Sequence, residues 1–324
     1  MTAVKKFLTL LLILAIGLAI RAMGLNWDQG TFLHPDERFL VMVVQELKLP
    51  DSLASYFSTD SPLQVRNTKH SFYVYGSFPV VLTKLIAHLS IEQESFKNIT
   101  QLGRWLTIIL ETLNIFLIFK LTEFLIKRYQ LPTETSLWSS LFYALLVLPI
   151  QLSHFFTVDP FAVFFALLSL VFITEINDRF NKLWLILAGI SFGLALASKL
   201  SIIFIGPVLA VFMLSLLWKK DKKLFANLVY LSINGLIFTL SLYLSLRLFN
   251  PEYFAFGSWL NPTISPTFIK SLEMLQHWSS PTASFPPSMQ WLNRTPILFS
   301  LKNILFFGLG VWSSLIVLIG IFFS

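Results

Sequence analysis

The sequence predicts an all-α polytopic membrane protein that crosses the bilayer about eight times. Hydrophobic residues make up 55% of the chain and charged residues only 13%, and the mean hydropathy is +0.72. A soluble domain usually has about a quarter of its residues charged. A bilayer can cover this much apolar surface, because lipid removes the need for a polar exterior.

Eight stretches approach the roughly 20 apolar residues that a spanning helix needs. They are residues 7–25, 103–126, 136–154, 160–176, 183–198, 200–218, 224–248 and 298–323. We expect these helices to form one domain over residues 1–324. We also expect the natural chain to continue beyond Ser324, because this residue follows an apolar run with no polar flank.

Basic residues predict which face of the membrane is cytoplasmic. Short basic clusters precede the first predicted span and follow the second, fourth and sixth: Lys5, Lys6, Lys127, Arg128, Arg179, Lys182, Lys219, Lys220, Lys222 and Lys223. With eight alternating spans, all of them fall on one side, which the positive-inside rule makes the cytoplasm. The N-terminus is therefore predicted to be cytoplasmic. The long segments 26–102 and 249–297 are predicted to be outer loops.

The first outer loop contains two predicted helices. Residues 36–49 have an amphipathic pattern, with five apolar residues on one helical face: Phe39, Leu40, Val43, Val44 and Leu47. A second apolar stretch, residues 72–89, is interrupted by Gly76 and Pro79. It is typical of a helix that lies along the membrane surface.

Two adjacent acids, Asp36 and Glu37, lie in the segment Phe32–Arg38, shortly after the first span. Carboxylates near a membrane surface could deprotonate a hydroxyl group or hold a metal ion. They could equally mark a helix start. Pro35 suits the first helical position, and acids in the first turn complement the helix dipole.

A second acidic site, Asp159, lies between the third and fourth spans and precedes a proline. It could cap a helix, but an acid beside phenylalanines at the membrane edge is costly without a partner. Lys199 interrupts apolar sequence, and Arg104 lies at the start of the second span. Each could extend its charge to the interface, and together they could bind a phosphate group. Two acidic sites and two cations are thus predicted on one outer face.

Metal chemistry has little support in the sequence. Cysteine is absent, which excludes thiolate catalysis and cysteine metal sites. The histidines on the outer side, which include His34, His70, His154 and His277, do not have a spacing such as HExxH. No cofactor is assigned, and a divalent cation is left open without assigned ligands.

The order of these motifs resembles the GT-C glycosyltransferases, in particular the protein O-mannosyltransferase and aminoarabinose-transferase branch that uses phospholipid carriers. Leu33–Arg38 is similar to the catalytic loop of that branch, and Gly103–Leu106 to the start of its second helix. Thr157–Pro160 is similar to its second acidic position, and Ser198–Lys199 to its lysine-bearing turn. The resemblance extends to about residue 310.

This resemblance implies a GT-C type transmembrane helical module with a long first outer loop that carries interfacial helices. It also implies inverting transfer of a sugar from a polyprenyl-phosphate donor to an acceptor on the non-cytoplasmic face. Asp36 would be the general base, with Glu37 and Asp159 orienting the acceptor, the base or a metal ion. Arg104 and Lys199 would hold the donor phosphate.

Three further residues complete the predicted site as acceptor-binding or supporting groups: His34, Arg38 and His154. The predicted partners are the lipid-linked donor, an unidentified acceptor and membrane lipids. Nucleic acid is not expected, because the net charge of +7 is spread over short clusters between apolar runs. The predicted location is a prokaryotic plasma membrane.

Two other functions compete with the transferase. A transporter would show internal repeats and charges at the bilayer midplane, and the sequence has neither pattern. A non-catalytic membrane subunit would bind partners through its outer loops and would tolerate loss of Asp36 and Asp159. The sugar and the acceptor class are left open.

Overall fold

The computed structural model describes residues 2–70, 72–176, 181–219, 222–255, 261–280, 285–289 and 292–322. Over these residues the chain is helical, apart from loops and one antiparallel bridge between Phe254 and Ile264. The helices are α1 (Ala3–Ala22), α2 (Pro35–Glu46), α3 (Leu53–Tyr56), α4 (Phe78–Ser90), α5 (Phe96–Tyr129), α6 (Thr135–Leu145), α7 (Val147–Ser153), α8 (Asp159–Thr174), α9 (Asn181–Ser198), α10 (Gly206–Leu217), α11 (Leu224–Phe249), α12 (Pro266–Trp278), α13 (Pro286–Met289), α14 (Leu298–Asn303) and α15 (Val311–Phe322). The all-α prediction is confirmed.

Several of these helices could cross a membrane. Four described helical segments are long and apolar enough: Ala3–Ala22, Asn181–Ser198, Leu200–Leu217 and Leu224–Phe249. The pair α6 and α7 bends by 55°, and the pair Leu298–Leu309 and Val311–Phe322 bends by 115°. Counting each bent pair as one span gives up to six spans. The protein is therefore polytopic, and the count of eight spans stays a prediction.

The last predicted span, residues 298–323, is not one straight helix. Two helical segments meet at Gly310, whose φ angle is +84°. A side chain is disfavoured at this angle, and a Cβ atom there would come within 2.9 Å of Val147. A single glycine thus redirects the chain inside a continuous apolar run.

The predicted first outer loop packs onto the bundle through α2. Four of the five apolar residues predicted for this helix are 1% exposed or less: Leu40, Val43 and Val44 of α2, and Leu47 directly after it. They belong to a core cluster that includes Ile99 of α5 and Phe156 of the loop before α8. Burying one such side chain contributes about 1.5–3 kcal/mol. The start of α2 is therefore held in a fixed position.

The two ends of the bundle carry different residues. At one end, the Nζ of Lys6 in α1 is 2.6 Å from Glu123 in α5. At the other end, Arg104 of α5 donates a hydrogen bond to the carbonyl of Leu25. This second end carries α2 to α4 and is called the site face. Arg179 and Lys220, two members of the predicted basic clusters, lie outside the described residues.

Candidate active site

The first turn of α2 sends its two acids in different directions. His34 caps the helix, because its Nδ1 accepts a hydrogen bond from the backbone N–H of Glu37 at 3.2 Å. Consecutive residues of an α-helix point about 100° apart, since a turn has 3.6 residues. Asp36 consequently lies exposed, whereas Glu37 is 0% exposed.

Glu37 belongs to a buried ion cluster with Asp28 and Arg104. The Nη2 of Arg104 lies 2.7 Å from Asp28 and 2.6 Å from Glu37. Its Nε donates a second bond to Glu37 at 2.8 Å, and its Nη1 donates to Asp28 at 3.2 Å. The three side chains are 1% exposed or less. One guanidinium therefore bridges two carboxylates inside the protein.

All the donors of Arg104 have partners within the chain. A guanidinium carries five N–H groups. Four donate to Asp28 and Glu37, and the fifth donates to the carbonyl of Leu25 at 2.7 Å. Glu37 also accepts the backbone N–H of Phe156 at 2.8 Å, which joins α2 to the loop before α8. This geometry does not favour the predicted role of Arg104 in binding a donor phosphate.

The charge state of Asp28 follows from this cluster. Burial by itself would raise the pKa of a carboxyl group. The hydrogen bonds from Arg104 and the backbone N–H of Gly30, with the charge of Arg104, outweigh it and hold the pKa of Asp28 below its ordinary value. Asp28 is therefore an anion at neutral pH, as the ion cluster requires.

The second predicted acid and the predicted lysine form a more open pair. The Nζ of Lys199 donates to Asp159 at 2.6 Å, and the two side chains are 34% and 40% exposed. Asp159 is the first residue of α8, and the residue before it, Val158, provides no side-chain cap. An ammonium group has three N–H donors, so this bond leaves Lys199 the capacity for a ligand.

Tyr75 connects Asp36 with this pair. Burial, together with the negative charges of Asp36 and Asp159, raises the pKa of the Tyr75 phenol to about 12. Both carboxylates therefore act on one phenol, although they are far apart in sequence. Asp36 and the Asp159–Lys199 pair therefore lie within electrostatic range of Tyr75, and these four residues are called the open cluster.

Gly76 explains how Tyr75 reaches this position. Its N–H donates to the carbonyl of Ser198 at 3.0 Å. A Cβ atom on Gly76 would lie 1.8 Å from the carbonyl oxygen of Ala197, which is a severe clash with backbone. Only glycine allows this approach. The loop that carries Tyr75 is thereby held against the turn that carries Lys199.

The three predicted supporting residues lie around the two clusters. His34 caps α2 and stacks on Phe155, with ring centroids 4.2 Å apart. The two ring nitrogens of His154 lie 2.7 Å from the carbonyl oxygens of Ile150 and Met23, which links α7 to the loop after α1. Arg38 is exposed on α2. The two histidines hold the loops, and Arg38 faces solvent.

Two site residues were not predicted from the sequence. Asp28 lies 76 residues from its partner Arg104, in a loop without a motif. A search for acids that could compensate a buried arginine would have found it. Tyr75 carries no chemical signal of its own and becomes relevant only through the charges next to it.

Metal ligands are not apparent around these clusters. Within the described ranges, no three side chains of His, Asp or Glu are grouped so that they could hold a metal ion. Three acids at the site face instead have cationic partners: Arg104 for Asp28 and Glu37, and Lys199 for Asp159. No metal-binding residues are therefore assigned.

The all-α, polytopic fold agrees with the predicted class, the GT-C membrane glycosyltransferases. The structure is similar to a chain of the Saccharomyces cerevisiae protein O-mannosyltransferase Pmt1-Pmt2 complex bound to the sugar donor, with a TM-score of 0.55 and 17% sequence identity. The similarity covers 77% of this chain and 34% of that chain, so this chain spans about a third of the yeast protein. This similarity establishes the fold.

A family match gives a closer assignment. Residues 85–267, more than half of the chain, match the family described as dolichyl-phosphate-mannose-protein mannosyltransferase, so the chain belongs to this family. The matched region contains Arg104, Asp159 and Lys199, and it begins after Asp36 and Glu37. No curated protein matches the chain.

Proposed function

We propose that this protein is a membrane glycosyltransferase that moves a sugar from a polyprenyl-phosphate donor to an acceptor hydroxyl, with Asp36 as the general base. The main support is the environment of Asp36. It is exposed on the anchored first turn of α2 and acts on the same phenol as Asp159, which is paired with Lys199. Family membership supports sugar transfer as the reaction.

The proposed reaction is a single displacement. The acceptor oxygen attacks the anomeric carbon while the Asp36 carboxylate takes its proton. The bond between the anomeric carbon and the phosphate oxygen breaks, and its electron pair leaves with polyprenyl phosphate. Attack opposite to the leaving group inverts the anomeric configuration. The ammonium of Lys199 stabilises the charge that develops on the leaving phosphate.

The remaining residues are given roles that follow their contacts. Asp159 orients Lys199, as their 2.6 Å bond suggests. For Glu37 and Arg104 the contacts support a positioning role, because each is buried and bonded to protein groups. Arg38, exposed two residues after Asp36, is proposed to contact the acceptor.

The location of the site follows from the predicted orientation. The basic clusters predict a cytoplasmic N-terminus, so the site face is proposed to be non-cytoplasmic. A lipid-linked donor suits this arrangement, because its phosphate would lie at the membrane surface, level with Lys199, while its prenyl chain stays in the bilayer.

The test is a donor screen with the protein in nanodiscs. A panel of polyprenyl-phosphate sugars would be supplied with a membrane extract as the source of acceptors, and released polyprenyl phosphate would be measured. Asp36→Asn should lower release by about 10²–10⁴-fold, because the base is lost. Asp60→Asn is the matched control, since Asp60 is an exposed acid of the same loop.

The outcomes separate the transferase from the non-catalytic subunit. The proposal is supported if polyprenyl phosphate is released from a donor with one particular sugar, if Asp36→Asn loses this release and if Asp60→Asn keeps it. That sugar then identifies the donor. If every donor remains intact with acceptors present, the transferase is wrong and the partner-binding subunit takes its place.

A further inference from the structure

A cavity of about 230 Å³ adjoins the open cluster, with Tyr75 in its wall. One side is formed by the first outer loop, around Tyr73 and Ser77. The other side is formed by Asn250, Glu252 and Tyr253 and by residues of α12, which include Ser271. The cavity therefore lies between the two predicted outer loops and shares Tyr75 with the residues proposed to perform catalysis.

Aromatic rings form much of the cavity wall. Tyr73 and Tyr75 meet edge to face, with centroids 5.7 Å apart, and Tyr253 lies 4.3 Å from Phe268. Tyr73 and Tyr253 are 8% and 5% exposed. Aromatic rings offer apolar faces, and tyrosine adds a polar hydroxyl at the edge. This combination suits a ligand with C–H faces and hydroxyl edges.

The polar groups of the wall include an unused donor. Asn250 is 1% exposed, and its Oδ1 accepts a bond from the hydroxyl of Ser77 at 2.6 Å. Its Nδ2 has no hydrogen bond of ordinary length among the residues that the structure describes, although the Tyr253 side chain lies close enough to interact with Asn250. Leaving a buried donor unsatisfied costs about 1–3 kcal/mol. A ligand oxygen in the cavity would remove this cost.

Glu252 of the same wall is bonded within the protein. Its two carboxylate oxygens accept the backbone N–H of Val65 at 2.6 Å and that of Arg66 at 3.4 Å. Burial raises the pKa of Glu252 above its ordinary value, although the two backbone bonds and the charge of Arg66 oppose this. The wall therefore does not present a free anion to a cationic ligand, and a neutral ligand is favoured over a cationic one.

We propose that this cavity binds one neutral monosaccharide ring, supplied either by the donor or by a glycan acceptor. The inference rests on the proposed function, because Tyr75 joins the cavity to Asp36 and Asp159. The volume of about 230 Å³ corresponds to roughly eight water molecules. That is enough for one sugar ring.

The test fills the cavity from its α12 wall. Ser271→Trp places a large side chain in the space, and Ser279→Trp is the matched control, because Ser279 is exposed at the end of α12 and does not line the cavity. Wild type and both variants would be prepared in nanodiscs. For each protein we would measure the affinity for polyprenyl-phosphate mannose and for bare polyprenyl phosphate, which lacks the sugar. Saturation-transfer NMR would detect the free methyl glycosides of mannose, glucose and arabinose.

Two outcomes support the cavity and distinguish the source of the sugar. If the donor sugar occupies it, Ser271→Trp weakens binding of the mannose carrier by about tenfold or more and leaves bare carrier unchanged. If an acceptor sugar occupies it, carrier binding is kept and the glycoside NMR signal is lost. Ser279→Trp should match the wild type in both assays.

Two outcomes overturn the cavity proposal. One is that the two tryptophan variants behave alike in both assays, and the other is that wild type binds no sugar-bearing probe better than its sugar-free counterpart. The donor screen separates this failure from a failure of the transferase. If Asp36→Asn still abolishes release, the proposed function stands without this cavity.

Discussion

The buried cluster of Asp28, Glu37 and Arg104 and the open cluster that contains Asp36 and Asp159 begin at the same turn of α2. In the buried cluster, each side chain is 1% exposed or less and Arg104 has no N–H to spare. In the open cluster, Asp159 is 40% exposed, and Asp36 is exposed as well. Neighbouring acids of similar chemistry therefore have opposite environments.

The difference teaches how a membrane-surface site can be both rigid and reactive. A buried carboxylate with several hydrogen bonds fixes the chain but cannot reach a substrate. An exposed carboxylate can exchange protons with a substrate but has too few protein contacts to hold its own position. Glu37 is bonded both to Arg104 and to the backbone N–H of Phe156, so it ties α2 to the loop that precedes Asp159. The buried cluster thereby holds the open one in position.

The largest expected effect is the loss of the guanidinium from the buried cluster. Arg104→Ala leaves two buried carboxylates without their cationic partner, and breaking a buried ion pair in this way costs about 3–5 kcal/mol. Thermal unfolding in nanodiscs would measure the change. Arg38→Ala, at an exposed arginine, should stay within about 0.5 kcal/mol of wild type. Equal stability of the two variants would contradict the division into buried and open clusters.

The next effect concerns the contact that holds Tyr75 in the open cluster. Gly76→Ala puts a Cβ atom 1.8 Å from the carbonyl oxygen of Ala197, so the loop has to move. We expect a destabilisation of about 1–3 kcal/mol and a slower transfer rate. Gly235→Ala in α11 is the control, because nothing lies within 4 Å of its Cβ. A neutral Gly76→Ala would show that the close contact is dispensable.

A smaller effect is expected at the lysine of the open cluster. Lys199→Ala should weaken binding of bare polyprenyl phosphate by about tenfold, since one partly exposed charge contact is lost. Lys199→Arg should retain part of the affinity, and added salt should reduce the difference between wild type and Lys199→Ala. Lys97→Ala, at an exposed lysine near the start of α5, is the matched control. Unchanged affinity in Lys199→Ala would remove Lys199 from the phosphate site.

The smallest effect is the pH dependence that Asp28 contributes. Its pKa is lower in the folded protein than the ordinary value of 3.8. The unfolded chain therefore binds the proton first as the pH falls. This contribution is complete above about pH 4, declines below it and vanishes below the folded pKa. Unfolding temperatures between about pH 3 and 6 should fall less steeply for Asp28→Asn than for wild type, and parallel curves would contradict the assignment.

Much of the helical framework was predictable because long apolar runs give a strong signal. The predicted apolar face of residues 36–49 is buried in α2, as its spacing indicated. The bend at Gly310 was not predictable, because one glycine in an apolar run also fits a straight helix. Its effect depends on a positive φ angle that no periodicity reveals.

The sequence predicted which residues lie at the site better than it predicted what each residue does. Asp36, Asp159 and Lys199 lie in the open cluster, and their catalytic roles stay predictions. The local sequence does not show whether Arg104 and Glu37 are buried or are exposed to a substrate. Their burial depends on Asp28, a partner 76 residues from Arg104. Long-range pairing of this kind is determined by packing, which local sequence does not show.

The most direct test of the account compares Asp36→Asn with Glu37→Gln, two isosteric changes at adjacent residues. Each variant would be measured in nanodiscs for unfolding temperature and for release of polyprenyl phosphate with the donor that wild type uses. The account predicts that Asp36→Asn unfolds like wild type but releases about 10²–10⁴-fold less carrier. Glu37→Gln should unfold at a clearly lower temperature. Near-normal release from Asp36→Asn, or a stable Glu37→Gln, would contradict it.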